Sequence, residues 1–202
     1  MPPFTVLHIC MGNICRSPMA ERLLMLAARE MVGDKADALV LSRSAGTGGW
    51  HEGEGMNPPA TRQVRGRGGE VAGFAARRLR SEHIDAADLV LTATADQQDY
   101  VVALRRNAAD RTFVLGEFGR LLAQIDHGAL PPAGPAPDDV YARGVAIVEA
   151  VAAARRGASP LPTDDLDDPW GRGDHTFGRV ADEIEETVRP FAALLLPART
   201  PA

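Results

Sequence analysis

The chain has 202 residues, 45% of them hydrophobic, enough to bury a substantial core in a single domain. Its formal net charge of −5 argues against general nucleic-acid binding, and no apolar run approaches the length that spans a membrane. Two cysteines, Cys10 and Cys15, make no disulfide framework, and no secretory leader is expected before the first strand, so a reducing cytoplasm is the expected location.

The first element is the apolar run over residues 4–9, of the kind buried in a parallel sheet. It leads directly into Cys10-Met-Gly-Asn-Ile-Cys-Arg-Ser-Pro18. Gly12 and Asn13 tolerate positive φ, so this loop can curl with its N–H groups turned inward. Ser17 then reads as a helix N-cap with Pro18 at the first helical position, followed by Leu23, Leu24, Leu26 and Ala27 at helical spacing. Strand, tight loop and helix N-terminus thus come in the order that an oxyanion site requires.

Further along, residues 38–42, 88–92 and 111–115 read as three more strands. Helices are expected over 60–67, 96–106 and 117–125, with a last one over 178–195 that Pro190 should bend or break. Residues 128–163 form a longer connection: a proline-rich stretch over 130–137, then a helical pattern over 139–156. That helix carries Tyr141, Val145, Val148 and Val151 or Ala152 as its apolar stripe. It is expected to pack on the domain, with a docking element or a partial lid as the other readings. The alternation implies an α/β three-layer sandwich over residues 1–202, with a four-stranded parallel sheet covered by helices on both faces. The loop after the first strand would lie at the carboxyl ends of the strands.

The chemistry sits in that loop. Inward N–H groups, the helix dipole and Arg16 all favour the negative form of Cys10, a thiolate nucleophile. The backbone of Met11, Gly12, Asn13, Ile14 and Cys15, with the planar fork of Arg16, would cradle three oxygens of a phosphate. These donors gain strength as charge redistributes in a transition state. Ser17 can donate to the sulfur when it becomes a leaving group. Against this stand a buried, inert thiol, a simple disulfide pair, or half of a metal site that would need His or carboxylate partners. The full nonapeptide in its strand-to-helix setting favours the nucleophile.

The segment over residues 6–24 resembles the N-terminal signature of the low-molecular-weight protein tyrosine phosphatases. The resemblance continues in Ser44-Ala-Gly-Thr47, Gly49-Trp50-His51, Ala87-Asp88-Leu-Val-Leu91 and Asp168-Pro169-Trp170. It implies two-step hydrolysis through a phosphocysteine, with no metal and no other cofactor. By the same resemblance, Cys10 matches the nucleophile and Arg16 the phosphate-binding arginine. Ser17 matches the hydroxyl on the leaving thiolate, and Asn13 a strained loop residue bonded to a serine at Ser44. Cys15 matches a second loop cysteine that can form a reversible disulfide with the nucleophile.

By residue type alone, residues 164–168 read as an acidic surface turn or a weak site for a hard cation. The Asp-Pro-Trp match makes Asp168 the candidate general acid, and then the base that activates water. Trp50 and Trp170 lie in polar, glycine-rich surroundings, and the resemblance makes them the walls of a slot for an aromatic ring. Relatives that act on phosphoarginine carry threonine where this chain has Ile14, which tilts the expected substrate toward phosphotyrosine.

Phe74 and Thr94 depart from the pattern, standing where many relatives have histidine and aspartate. The arginines at 62, 65, 67, 77, 78 and 80 read as a solvated face, with steering of acidic phosphopeptides as the alternative. The expected partner is a phosphotyrosine protein or a small aryl phosphate, with neither nucleic-acid binding nor membrane insertion. The alternatives are an arsenate reductase using a small thiol, or a non-catalytic oxyanion-binding or redox-sensing module.

Overall fold

A computed structural model describes residues 1–197; the last five residues, which the domain expectation included, lie outside the described residues. Its four strands are β1 (Phe4–Cys10), β2 (Val40–Gly46), β3 (Leu89–Thr92) and β4 (Thr112–Val114). They form one parallel sheet in the order β2-β1-β3-β4. The helices are α1 (Arg16–Val32), α2 (Ala36–Leu39), α3 (Pro58–Gly66), α4 (Ser81–Asp85), α5 (Ala95–Leu104), α6 (Leu115–Leu122), α7 (Pro137–Arg155) and α8 (Asp174–Leu195).

Alternation along the strands sends side chains to two cores. Phe4, Val6, Leu89, Leu91 and Phe113 face the larger core, built with α1, α3, α6, α7 and α8. Leu7, Ile9, Ala45 and Val90 face the smaller one, closed by Ile84 of α4 and Val101 of α5. This is the expected three-layer α/β sandwich. The chain leaves β1 toward β2 on one side and reaches β3 on the other. The carboxyl ends of β1 and β3 therefore flank the switch point where such sheets open a crevice.

Several boundaries move, each for a physical reason. The second strand starts two residues late because residues 36–39 complete a helical turn, and it runs on through Arg43, Ser44, Ala45 and Gly46. Its register with β1, Phe4↔Val40 to Cys10↔Gly46, carries it to the end of its neighbour. Ser42 ends the expected strand and Ser44 lies beyond it, but both are buried and bonded, to His8 and to Glu21. A Cβ at Gly46 would lie 2.7 Å from the Met11 carbonyl oxygen, so only glycine lets this strand end touch the loop after β1.

The last helix remains one helix across Pro190. The lost hydrogen bond is offset by the burial of Val188, Phe191, Ala192 and Leu195 around it. Among the described residues no helix is long and apolar enough to cross a membrane.

The helix of the long connection packs on the sheet. Its buried face is Val140, Gly144, Ile147, Val148 and Val151, rotated from the expected stripe, with Tyr141 at its edge. The Phe4 ring occupies the space a Cβ at Gly144 would need, at 2.4 Å. Tyr141 Oη donates to Asp88 at 2.8 Å, and Arg155 donates to the Thr112 carbonyl while lying 4.4 Å over the Phe113 ring. These contacts fall at the amino ends of β1, β3 and β4, opposite the Cys10 loop, which is no place for a lid. Three of the six clustered arginines are drawn into ion pairs, Arg62 with Asp174, Arg67 with Asp182 and Glu185, and Arg80 with Glu52, while Arg65, Arg77 and Arg78 form none among the described residues.

Candidate active site

The loop after β1 keeps its shape because its carbonyls are tied to its neighbours. Thr47 and Gly48 donate to the carbonyls of Cys10 and Met11, and Asn57 donates to that of Ile14, at 2.9–3.0 Å. Among the described residues, the amides of Met11, Gly12, Asn13, Ile14 and Cys15 donate to no backbone acceptor. Carbonyls outward and amides free is the arrangement of an anion nest at a helix N-terminus.

The loop turns at Asn13, a non-glycine residue at φ +54°. Such a conformation costs of order 1–3 kcal/mol unless its surroundings hold it. Here they do: Nδ2 donates to Ser17 Oγ at 2.9 Å and to Ser44 Oγ at 2.8 Å, while Oδ1 accepts from the Arg77 amide at 2.8 Å. Ser44 Oγ in turn donates to Glu21 Oε2 at 2.6 Å. Ser17 Oγ accepts from Asn13, which leaves its proton for Cys10 Sγ at 2.9 Å. The polar chain from Glu21 to the sulfur is buried throughout.

Ser17 is therefore no helix cap. Helix α1 starts two residues earlier than expected, at Arg16, with Cys15 in the capping position and no side-chain capping bond. The hydroxyl is taken by the sulfur and the asparagine instead. Cys10 and Cys15 are both free thiols and buried. The Cys15 thiol is pushed up to about 12, by burial first, then by the charges of Cys10 and Asp168, against the pull of Arg16. Cys15 is thus held as a thiol at neutral pH.

Arg16 is 4% exposed. Its Nη1 donates to the Leu166 carbonyl at 3.1 Å, and its Nη2 pairs with Asp168 Oδ2 at 3.1 Å. Its Nε is buried with no hydrogen-bond partner among the described residues. A desolvated guanidinium donor left unpaired is costly, and an oxyanion in the nest would satisfy it. The Trp170 amide donates to Asp168 Oδ1 at 3.2 Å, which steadies the carboxylate at the loop tip.

One cleft of about 210 Å³ collects these groups. It is lined by Cys10, Met11, Gly12, Ile14, Cys15 and Arg16 below, and by Trp50, His51, Asp168 and Trp170 above. The indoles are 72% and 64% exposed, so they stand as walls rather than as core. Asn13, Ser17 and Ser44 lie behind the floor as supports. The candidate site residues from Cys10 to Ser17, with Ser44, Trp50, Asp168 and Trp170, are all brought to this cleft or to the layer behind it.

Four contributors escaped the sequence reading as site residues. Glu21 lies one helical turn after Ser17, a spacing that puts both on one face, so it was within reach. His51, inside a quoted motif, lies against Gly12 with its Nδ1 2.8 Å from Glu54 Oε2. The Leu166 carbonyl and the Arg77 amide are backbone groups placed by long-range folding, with no local signal.

The family model described as low molecular weight phosphotyrosine protein phosphatase matches residues 5–150. A low molecular weight protein-tyrosine-phosphatase of Streptomyces coelicolor is 42% identical over 106 residues, 52% of this chain. That match spans only 60% of the relative's own length. A protein-arginine-phosphatase of Geobacillus stearothermophilus is 34% identical over 139 residues, 69% of this chain and 84% of that protein. The solved YwlE arginine phosphatase from the same organism superposes with a TM-score of 0.64 at 26% identity, covering 95% of this chain and 92% of that one.

Proposed function

The chain belongs to the low molecular weight phosphotyrosine protein phosphatase family, and from that premise we propose that it hydrolyses phosphotyrosine through a phosphocysteine intermediate. The observation that carries this reading is the meeting, in one cleft, of a thiol with a hydroxyl directed at it, a buried arginine with an unpaired Nε, and an acidic side chain.

A phosphoryl dianion entering the nest replaces Asp168 as the partner of Arg16, which leaves that carboxyl free to meet the leaving oxygen. The Cys10 thiol proton passes to the released Asp168 carboxylate; Cys10 Sγ attacks phosphorus, the P–O bond to the aryl group breaks, and Asp168 gives that proton to the leaving oxygen. In the second step Asp168 takes a proton from water as the water oxygen attacks phosphorus. The thiolate then leaves with the Ser17 hydroxyl donating to it. The nest amides and Arg16 stabilise the equatorial oxygens in both steps.

The indole walls favour a flat leaving group, and Ile14 offers the cleft an apolar side chain where a hydroxyl would suit a guanidino group. We therefore place phosphotyrosine ahead of phosphoarginine, although the latter is named for one of the relatives. The proposal extends to a phosphoprotein partner rather than a nucleic acid, and to a reducing cytoplasm in which two free thiols persist.

Hydrolysis of an aryl phosphate by wild type, Cys10→Ser and Asp168→Asn, with and without chelator, tests this reading. Expected are chelator-insensitive turnover in wild type, none in Cys10→Ser, and a loss in Asp168→Asn that shrinks as the leaving group improves. Equal rates in wild type and Cys10→Ser overturn it. Faster release of phosphate from phosphoarginine than from phosphotyrosine overturns the substrate assignment alone.

A further inference from the structure

The cleft above Cys10 is not the only recess at the carboxyl end of the sheet. Across Trp50 lies a second groove of about 580 Å³ that shares Met11, Arg16, Trp50 and Asp168 with the cleft. Its far wall comes from the start of α5, with Asp96, Gln97 and Tyr100, and from Asp165 in the loop before Asp168. We propose that this groove holds the polypeptide flanking the phosphorylated residue and selects a basic side chain there, an inference that rests on the phosphatase reading above.

Two independent features support this occupant. Gln97 is 6% exposed; its Oε1 accepts from the Ala93 and Thr94 amides at 3.1 and 3.2 Å. Its Nε2 has no acceptor among the described residues, although the side chain lines the groove. With Oε1 fixed on the start of α5, an amide donor that no protein acceptor uses is presented to the groove and suits a main-chain carbonyl of a bound peptide.

The second feature is a pair of carboxylates at the start of α5 that no cationic side chain meets among the described residues. Asp167 and Asp168 are paired with Arg179 and Arg16. Asp96 is exposed and has no cationic partner among the described residues, and Asp165 uses only Oδ1, to accept from the Ala95 amide at 2.8 Å. Among the described residues no group of three or more His, Cys, Asp or Glu side chains converges as a metal site requires. The Tyr100 ring and the outer face of Trp50 supply flat walls against which the methylene stem of a lysine or arginine can lie. A small aryl phosphate fills only the first cleft, so the groove distinguishes peptides and leaves small esters unaffected.

The test compares matched phosphotyrosine peptides carrying Lys, Ala or Glu at the two positions on either side, with para-nitrophenyl phosphate as the small ester, in wild type and Asp96→Lys. In wild type, kcat/KM should favour Lys over Glu by a factor of about five, the scale of one partly exposed ion pair, and should lose that preference as salt rises. Asp96→Lys should abolish or invert the preference while leaving the small ester within about twofold. Equal rates for Lys and Glu peptides, or a preference that survives Asp96→Lys, overturn the groove assignment while the small ester is still hydrolysed. No hydrolysis of peptide or small ester overturns the phosphatase reading, and the groove assignment with it.

Discussion

At the floor of the cleft, Asn13, Ser17, Ser44 and Glu21 are buried and bonded to one another in a closed chain that ends on Cys10. At the rim, Trp50 and Trp170 stand largely exposed, and Asp168 is held by one amide and one ion pair. The floor must keep a strained turn and a set of inward amides in place before any ligand arrives, so its polar groups are spent on each other. The rim must meet a side chain of variable surroundings, so its groups are left with free surface. Preorganisation is concentrated where the transferred phosphoryl group sits, and adaptability where its carrier sits.

The largest effect should come from the one residue that belongs to both regions. Arg16→Ala removes the desolvated donor from the nest and the partner of Asp168, and should lower kcat/KM for an aryl phosphate by roughly 10²–10³. Steady-state kinetics check this; a loss below tenfold would mean that the nest amides alone carry the phosphate.

A second effect tests how dry the layer behind the floor is. His8 is fully buried on β1, with Nε2 3.1 Å from Ser42 Oγ and Nδ1 unpaired among the described residues, and burial pushes its pKa down to about 3. The folded value lies below the unfolded one near 6.5. The stability it confers is therefore complete above pH 6.5 and lost as the pH falls from there toward 3. At about 1.4 kcal/mol for each pH unit, that is on the order of 3 kcal/mol by about pH 4. Denaturant titrations across this range should show His8→Leu with a shallower acid loss than wild type. Parallel curves would mean that water reaches the imidazole.

Asn13→Ala strips three hydrogen bonds from the strained turn and should cost about 2 kcal/mol in chemical denaturation, with kcat falling alongside. If stability falls and kcat does not, the turn is held by the carbonyl bonds from Thr47, Gly48 and Asn57 rather than by the asparagine.

Trp50→Ala should be the mildest change. It should raise KM for aryl phosphates by about three- to tenfold, with stability unchanged, as expected for a stacking wall worth roughly 1 kcal/mol. A fall in melting temperature of several degrees would place Trp50 with the floor rather than the rim.

The resemblance and the local pattern together made much of this site legible. Cys10 to Pro18 is contiguous, and its strand, glycine turn and proline-led helix show where anion-binding amides must gather. Asp168, Trp50, Trp170 and Ser44 could be picked out by resemblance, since nothing in their local pattern separates an acidic turn from a proton donor. Periodicity found all four strands and the long helices to within a few residues. It fell short at the end of β2, where the expected strand stops at Ser42 and leaves out Ser44, because hydropathy carries no sign that a polar residue will be buried against a partner.

The sequence by itself determined which chemistry the loop after β1 can support, because nucleophile, nest and arginine lie within seven consecutive residues and local geometry fixes their relation. Tertiary structure decided what those groups are bonded to. Ser17 serves the sulfur rather than the helix end, Arg16 is aimed by the carbonyl of Leu166, and Asn13 is closed by an amide at Arg77. It also put Gln97 and Asp96 beside the cleft. Ser17 apart, these partners are separated by tens of residues in the chain, and the parallel sheet, which brings the carboxyl ends of β1, β2 and β3 to one edge, sets them side by side.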